Sequence, residues 1–168
     1  LDACAGLGGK TSHLFELSPS STKIVALDPS QKRRNKAFSS FERLAHEGIE
    51  YALESLFNYS SKELFDKVLL DAPCSGLGVL RRHPEGKWQK KPELIRTLAK
   101  KQRQLILKSL DLLKEGGTIV YSVCSFEPEE SLMHLQALLK DFPSDLELVS
   151  PSVKLPQYYH KDVTREEL

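Results

Sequence analysis

The chain has 168 residues, its 24 Lys and Arg balance 23 Asp and Glu to a formal net charge of +1, and hydrophobic residues make up 40% of it. This length and balance predict one globular domain that folds without disulfides or metal ions, and they exclude disordered, low-complexity and collagen-like chains. No apolar run is long enough for a membrane span, and the first residues do not show the basic-then-apolar pattern by which a signal peptide would be predicted.

Short apolar runs alternate along the chain with segments of helical periodicity. The runs predict five strands, at 1–4, 23–28, 49–53, 65–71 and 118–123. Helices are predicted at 31–46, ended by Gly48, at 93–114, ended by Gly116-Gly117, and from Pro128 onwards. This alternation predicts an α/β fold with a mostly parallel, doubly wound sheet. We assign 1–150 to this domain and 151–168 to a tail that we expect to be mobile.

Three cysteines, Cys4, Cys74 and Cys124, lie far apart and form no C-x-x-C pair. This spacing argues against a zinc site, so we expect no bound metal. The odd cysteine count favours a reducing compartment, and we expect a cytoplasmic protein. The chain begins at Leu1 and its one methionine is Met133, so we expect a fragment that lacks its natural start.

Residues that follow each strand are the candidates for a site, because ligands of doubly wound folds bind beyond the carboxyl ends of the strands. Residues 6–11 read Gly-Leu-Gly-Gly-Lys-Thr, which is not a P-loop because Cys4 stands where that motif needs a glycine. The glycine-rich turn still lets a ligand approach the backbone. Asp28, roughly 20 residues after the glycines, suits a ribose diol and equally suits a cap for the next helix. Together they favour a nucleoside cofactor, either a dinucleotide or S-adenosylmethionine.

Two of the cysteines follow neighbouring strands of the predicted sheet. Cys74 lies in the segment after the fourth strand, and Cys124 follows the fifth. Because the carboxyl ends of parallel strands meet at one edge, both thiols are expected at the ligand edge of the sheet. A reactive thiol belongs in such a partly open place, so we interpret these two cysteines as functional rather than as buried hydrophobic side chains.

A basic segment spans 81–114, where eleven Lys and Arg outnumber three Asp and Glu. The segment therefore nets +8 and the rest of the chain −7, since the whole is +1. Such clustering favours a polyanionic partner, although a lysine-rich helix is more commonly a solvated face.

Three motifs contain or follow Cys74 and Cys124. They are Asp71-Ala72-Pro73-Cys74-Ser75-Gly76, Arg82-His83-Pro84 with Lys87-Trp88, and Tyr121-Ser122-Val123-Cys124-Ser125 followed by Pro128-Glu129-Glu130. In their residues, order and spacing they resemble the motifs of the NOL/NOP/Sun family of RNA methyltransferases, which act at carbon 5 of cytosine. The resemblance extends over residues 1–142. It implies a Rossmann-like core that binds S-adenosylmethionine, and RNA, ribosomal RNA above all, as the partner. We expect a monomer.

The resemblance assigns catalytic roles to three residues. Cys124 is the nucleophile that adds to carbon 6 of cytosine, Cys74 assists release of the methylated product, and Asp71 holds the polar edge of the base. The addition makes carbon 5 nucleophilic toward a sulfonium methyl group. Since the base must meet both thiols, the cytosine has to be single-stranded or turned out of its stack.

The resemblance also implies two sets of binding residues. The cofactor would contact Cys4, Ala5, Gly6, Leu7, Gly8, Gly9, Lys10, Asp28, Glu54 and Asp71. RNA would contact Pro73, Arg82, His83, Lys87 and Trp88. Trp88 has two open interpretations, stacking on a base or packing in the core, and His83 is expected to be structural rather than a general base.

Several features depart from the family pattern. Gly6-Leu7 replaces Ala-Pro, Val123 replaces the Thr before the nucleophile, and Glu54 stands nearest to where an Asp is usual. The family's RNA-binding segment before the first motif and its final hairpin are not found, so we expect truncation at both ends.

Three other functions stay open on the sequence. A DNA cytosine methyltransferase would use Cys74 as its nucleophile and would not need Cys124. A dinucleotide-dependent oxidoreductase would explain the glycine-rich turn and Asp28 but neither cysteine. A non-catalytic RNA-binding relic of the same fold would fit Val123 and the truncations.

Overall fold

The computed structural model describes residues 1–142 and 144–149, and the predicted tail at 151–168 lies outside the described residues. The strands are β1 Ile24–Leu27, β2 Ile49–Ala52, β3 Phe65–Asp71 and β4 Leu113–Ser122. The helices are α1 Gly9–Leu17, α2 Gln31–Arg43, α3 Gly86–Gln89, α4 Pro92–Asp111 and α5 Leu132–Asp141.

The sheet is parallel throughout the described strands. β1 pairs with β2, and β3 pairs with β4. The first residues of the chain join the two pairs, because Asp2 forms parallel bridges to both Ala26 and Leu69. The spatial order is therefore β2, β1, the first residues, β3 and β4. This confirms the predicted parallel sheet and the place of all five predicted runs.

Two apolar clusters lie on opposite faces of this sheet. In β1, Val25 and Leu27 belong to one cluster, while Ile24 and Ala26 belong to the other. Alternate residues of a strand point to opposite faces, so β1 packs against apolar side chains on both of its faces. The first cluster includes Leu105 and Ile106 of α4, and the second includes Ala37 and Phe41 of α2. The prediction of a doubly wound sheet is thereby confirmed.

The expected end of the helix at 31–46 is wrong by one turn. α2 ends at Arg43, and Ala45 adopts a φ of 53°. A positive φ interrupts a right-handed helix, so the chain leaves the helix before the glycine is reached. Gly48, with a φ of 86°, instead serves the turn into β2.

The expected role of Gly116-Gly117 as the stop after a helix at 93–114 is also wrong. α4 ends at Asp111, and β4 begins at Leu113, which pairs with Phe65. The glycines lie inside β4, where the pairing shifts between Phe65 and Lys67. Gly116 adopts a φ of 71°, so the glycines accommodate an irregularity of the strand.

The helix expected from Pro128 is divided into two pieces. Pro128–Glu130 is a 3-10 turn, and α5 begins only at Leu132. Ser131, with φ −135° and ψ −92°, lies outside the helical region and separates the two. None of the helices in the described part of the chain combines the length and apolar character that a membrane span requires.

Candidate active site

Cys74 and Cys124 meet at the carboxyl ends of β3 and β4. Their sulfur atoms are 3.1 Å apart, and the Cys124 backbone N–H donates to the Cys74 sulfur over 3.2 Å. Both thiols are free. The Cys124 side chain is exposed, whereas Cys74 is half-buried. The expectation that both thiols share one edge of the sheet is confirmed.

The surroundings of Cys74 favour its protonated form. Burial raises the pKa of the Cys74 thiol to about 11, and the contact with the Cys124 thiol acts in the same direction, whereas the Cys124 backbone N–H opposes it. At neutral pH this thiol therefore carries a proton. The pair therefore consists of the accessible Cys124 sulfur and, next to it, the protonated Cys74 thiol.

Asp71 lies at the end of β3 next to the thiols and is held from two sides. Lys10 Nζ donates to Asp71 Oδ2 over 2.7 Å, and the Ser122 hydroxyl donates to Oδ1 over 2.9 Å. The hydrogen bond to Asp71 raises the pKa of Lys10, and the negative charge of a Cys124 thiolate acts in the same direction. The Lys10 ammonium group thus binds the Asp71 carboxylate and also interacts electrostatically with Cys124.

The glycine-rich turn leads from the first residues into α1. Gly6 and Gly8 adopt φ values of 58° and 78°. A Cβ on Gly8 would lie 2.8 Å from the Phe41 ring, whereas a Cβ on Gly6 would meet nothing within 4 Å. Tyr51 fixes the turn from β2, since its hydroxyl donates to the Gly6 carbonyl over 2.6 Å. The turn is therefore packed against α2 at Gly8 and has open space beside Gly6, and the sequence predicts that a ligand approaches this backbone closely.

The predicted cofactor acids differ in their surroundings. Asp28 is buried at the end of β1, where Oδ1 accepts from the Ser30 N–H over 2.8 Å and Oδ2 from Arg33 over 3.1 Å. Asp28 thus stabilises the turn that enters α2, whose N-cap residue is Ser30, and each carboxylate oxygen retains a further lone pair. Glu54 is exposed two residues beyond β2. Burial raises the pKa of the Cys4 thiol to about 12, so this third cysteine is an unreactive, protonated side chain.

The predicted RNA-contacting residues lie outside the apolar core. Pro73, Arg82, His83 and Lys87 are exposed, and His83 Nδ1 is 3.4 Å from Glu85 Oε1. Trp88 is 83% exposed, with Lys87 Nζ 5.2 Å from its ring centroid. The core-packing interpretation of Trp88 is therefore wrong. This basic surface follows the Cys74 loop directly along the chain.

Glu130 belongs to the Pro128-Glu129-Glu130 part of the third motif, where the sequence assigned it no role, but in the structure its carboxylate contacts the residues that follow both cysteines. Its carboxylate is fully buried and accepts from the Ser75 N–H over 2.8 Å and from Gln102 Nε2 over 2.9 Å. The Ser75 and Ser125 hydroxyls donate to its other oxygen, each over 2.5 Å. Besides that motif, a signal was available in Gln102, an amide on the apolar face of α4.

A tight turn at Leu77–Val79 packs against the Cys124 loop. The Gly78 N–H donates to the Cys124 carbonyl over 3.0 Å. A Cβ at Gly78 would lie 3.0 Å from the same oxygen.

Among the described residues, no group of three or more His, Cys, Asp and Glu side chains is placed to hold a metal ion.

A parallel sheet covered on both faces, with a glycine-rich turn at its centre, defines a Rossmann-like methyltransferase fold. The chain belongs to the 16S rRNA methyltransferase RsmB/F family, whose model matches residues 1–165.

Curated relatives extend well beyond the matched region. The chain is similar to ribosomal RNA small subunit methyltransferase B of Shewanella oneidensis, with 43% identity over 83% of this chain and 33% of that protein. It is similar to the protein of the same name from Klebsiella pneumoniae, with 38% identity over 88% of this chain and 34% of that protein. The chain thus spans about a third of the length of these relatives.

Solved structures with the same fold are also longer. NSun6 from Pyrococcus horikoshii with SFG matches with a TM-score of 0.79 and 29% identity, over 90% of this chain and 38% of that chain. A methyltransferase homolog protein from the same organism matches with a TM-score of 0.74 and 34% identity, over 84% of this chain and 44% of that chain.

Proposed function

We propose that this protein transfers a methyl group from S-adenosylmethionine to carbon 5 of a cytosine in RNA, with ribosomal RNA as the substrate and a covalent cysteine–cytosine intermediate. The observation that carries the proposal is the 3.1 Å separation of the Cys74 and Cys124 sulfurs beside Asp71. One thiol is enough to act as the nucleophile. A second thiol at this distance can assist cleavage of the bond between the first cysteine and the cytosine. The names of its curated relatives support the choice of substrate.

In this proposal Cys124 is the nucleophile. Its side chain is exposed at the carboxyl end of β4, so an extruded base can reach it. The Lys10 ammonium, which is paired with Asp71, contributes positive charge at the edge of the sheet where this sulfur lies. Addition of the thiolate to carbon 6 forms a carbon–sulfur bond and moves electron density to carbon 5.

Cys74 has the complementary role of assisting release. Because its pKa is raised to about 11, it holds a proton at neutral pH while Cys124 reacts. After methyl transfer, solvent water takes the proton from carbon 5 as the bond between carbon 6 and the Cys124 sulfur breaks. Cys74, whose sulfur is 3.1 Å from the departing sulfur, donates its proton to that sulfur from the end of the neighbouring strand and regains one from solvent.

Asp71 positions the base in this scheme. Its two oxygens are anchored by Lys10 and Ser122, so the carboxylate is fixed before a substrate arrives. A carboxylate has lone pairs beyond those two contacts and accepts hydrogen bonds from the polar edge of cytosine. Orientation of the base over the thiols follows from this anchoring.

The residues fit S-adenosylmethionine, which supplies an electrophilic methyl group when bound. The open space above Gly6 and Gly9 leaves room for a ligand on the turn formed by Cys4, Ala5, Gly6, Leu7, Gly8, Gly9 and Lys10. Asp28 would hold the ribose hydroxyls, and Glu54 is our candidate for the adenine side. Asp71 lines the same space through its contact with Lys10.

The RNA surface in this proposal is the basic loop that follows Cys74. Arg82, His83 and Lys87 would contact phosphates, Trp88 would stack on a base, and Pro73 would line the path to the thiols. Exposure of these side chains supports the assignment, since a group that binds RNA must be reachable. A ribosomal RNA substrate and a mechanism that needs reduced thiols support a cytoplasmic location.

The test uses the full-length protein with Cys74→Ala, S-adenosylmethionine and ribosomal RNA, followed by denaturing electrophoresis. We expect a covalent protein–RNA adduct that disappears when Cys124→Ala is added. An adduct that survives Cys124→Ala, or that forms on DNA instead of RNA, would contradict the assignment of nucleophile and substrate. RNA binding without any adduct or methyl transfer would support the non-catalytic relic.

A further inference from the structure

Glu130 is a buried carboxylate to which the proposed chemistry gives no part. It lies in the 3-10 turn before α5 and has no exposed surface. One oxygen, Oε2, accepts from the hydroxyls of both Ser75 and Ser125. These serines directly follow Cys74 and Cys124 in the sequence, so a single oxygen atom joins the two cysteine loops.

Gln102 extends this contact to the other side of Cys74. Its Nε2 donates to Glu130 Oε1 over 2.9 Å and to the Pro73 carbonyl over 3.0 Å. Since the Ser75 N–H also donates to Glu130, the residues on both sides of Cys74 are fixed to the same carboxylate. We call this set the carboxylate brace; its members are Glu130, Gln102, Ser75 and Ser125.

The brace keeps Glu130 ionised despite its burial. Burial alone would raise the pKa of Glu130, but hydrogen bonds from Ser125, Ser75 and Gln102 outweigh it and lower the pKa. A buried carboxylate without such donors is strongly destabilising, and so are buried donors without their acceptor. The two loops therefore have one favourable arrangement around Glu130, and it places the sulfurs together.

We propose that Glu130 is a positioning residue that holds the Cys74 and Cys124 sulfurs at bridging distance through Ser75 and Ser125. The inference rests on the proposed function for what the two thiols do. The distance between the sulfurs, however, is a property of the protein alone, and it can be measured without RNA or cofactor.

Thiol–disulfide exchange with glutathione measures this property. Two protein thiols and one oxidised glutathione yield one Cys74–Cys124 disulfide and two reduced glutathione thiols, so electrons and protons balance. The full-length protein is equilibrated in glutathione buffers and quenched with acid, and the disulfide is quantified by peptide mapping. The equilibrium constant is the effective concentration of one thiol at the other.

Four variants separate positioning from other effects. Glu130→Ala is expected to lower the effective concentration roughly tenfold to a hundredfold and Ser125→Ala about tenfold, the scale of lost hydrogen bonds to a charged group. Glu130→Gln should keep it within about threefold, because its oxygen can accept from Ser75 N–H and Gln102 while its amide donates to the serine hydroxyls. Ser39→Ala, which removes a hydroxyl bonded to the Asn35 carbonyl on α2, should leave it unchanged.

The outcomes that overturn the inference are distinct. Ser125→Ala and Glu130→Ala values equal to that of Ser39→Ala would show that the brace does not set the sulfur distance. A Glu130→Gln value as low as that of Glu130→Ala would assign the effect to charge rather than to position. If Glu130→Ala does not fold, Ser125→Ala decides. Absence of methyl transfer in the unsubstituted protein would count against the proposed function only, because the exchange needs no substrate.

Discussion

Lys10 and Asp71 form an ion pair with 2.7 Å between Nζ and Oδ2, and this pair ties the start of α1 to the carboxyl end of β3. Both side chains are partly exposed, so solvent screening limits what the pair adds to stability. Its main effect is to orient Asp71. We therefore expect Lys10→Ala to lower kcat/KM for methyl transfer about tenfold while the free energy of unfolding changes by less than about 1 kcal/mol.

Lys114 offers a matched control for that experiment. Its Nζ lies 2.8 Å from Asp66 Oδ1, so it also pairs with a carboxylate of β3, near the opposite end of the strand. Lys114→Ala should leave methyl transfer unchanged in steady-state assays. Equal losses in the two variants would show that Lys10 has no special relation to the site.

Gly8 is predicted to be the least replaceable residue of the glycine-rich turn. Alanine there combines a positive φ with a Cβ only 2.8 Å from the Phe41 ring and 3.0 Å from the Ala37 Cβ. The strained backbone and the overpacking together should reduce the free energy of unfolding by about 2–4 kcal/mol in urea titrations.

Gly9 provides the comparison, because a Cβ there meets nothing within 4 Å and its φ is not positive. Gly9→Ala should change stability by less than about 1 kcal/mol. A similar loss in both variants would mean that contact with Phe41 does not explain the requirement for glycine at Gly8.

Cys4 should make the protein sensitive to alkali. Its pKa is raised from an ordinary value of 9.0 to about 12 by burial, so the folded protein keeps a proton that the unfolded chain loses. Stability from this group is complete below pH 9 and is lost as pH rises toward 12, by roughly 1 kcal/mol per pH unit. Cys4→Ala removes that dependence, which unfolding titrations from pH 8 to about 11 can detect. Parallel curves for the two proteins would contradict the assignment.

Trp88 should matter for RNA and hardly at all for folding. The side chain is 83% exposed, so Trp88→Ala should shift the free energy of unfolding by less than about 0.5 kcal/mol. Loss of a stacking partner should weaken RNA binding by about 1–3 kcal/mol, with partial recovery in Trp88→Phe. Leu17→Ala, at a 73% exposed position on α1, serves as the control in the same binding titration. Unchanged RNA affinity in Trp88→Ala would remove Trp88 from the proposed surface.

Much of the fold could be predicted because burial leaves a direct trace in the sequence. β3 has the bounds expected from its apolar run, since Val68 and Leu70 are buried in the core and the run ends at the acidic Asp71. Strand boundaries that depend on pairing with another strand leave a weaker trace in the sequence. β4 begins at Leu113 because that residue pairs with Phe65, and nothing in the local periodicity distinguishes it from a last turn of α4.

The candidate site was predictable to a similar degree. The position of Cys74 and Cys124 after neighbouring strands was enough to bring their sulfurs together, because parallel strands end at one edge. The brace around Glu130 was not predictable, since it depends on Gln102 and Glu130 meeting across 28 residues of sequence. Hydrogen bonds between loops and distant helices have no period that a sequence pattern can reveal.

The turn at Gly78 has a practical consequence for anyone who redesigns this site. An added methyl group would press on the Cys124 carbonyl at 3.0 Å, and the peptide carrying the sulfur would have to move by a few tenths of an ångström. The missing side chain at Gly78 thus leaves room for the Cys124 peptide beside it. If the proposed function holds, Gly78→Ala offers a way to displace one thiol relative to the other and to ask which step of methyl transfer suffers, with both thiols left in place.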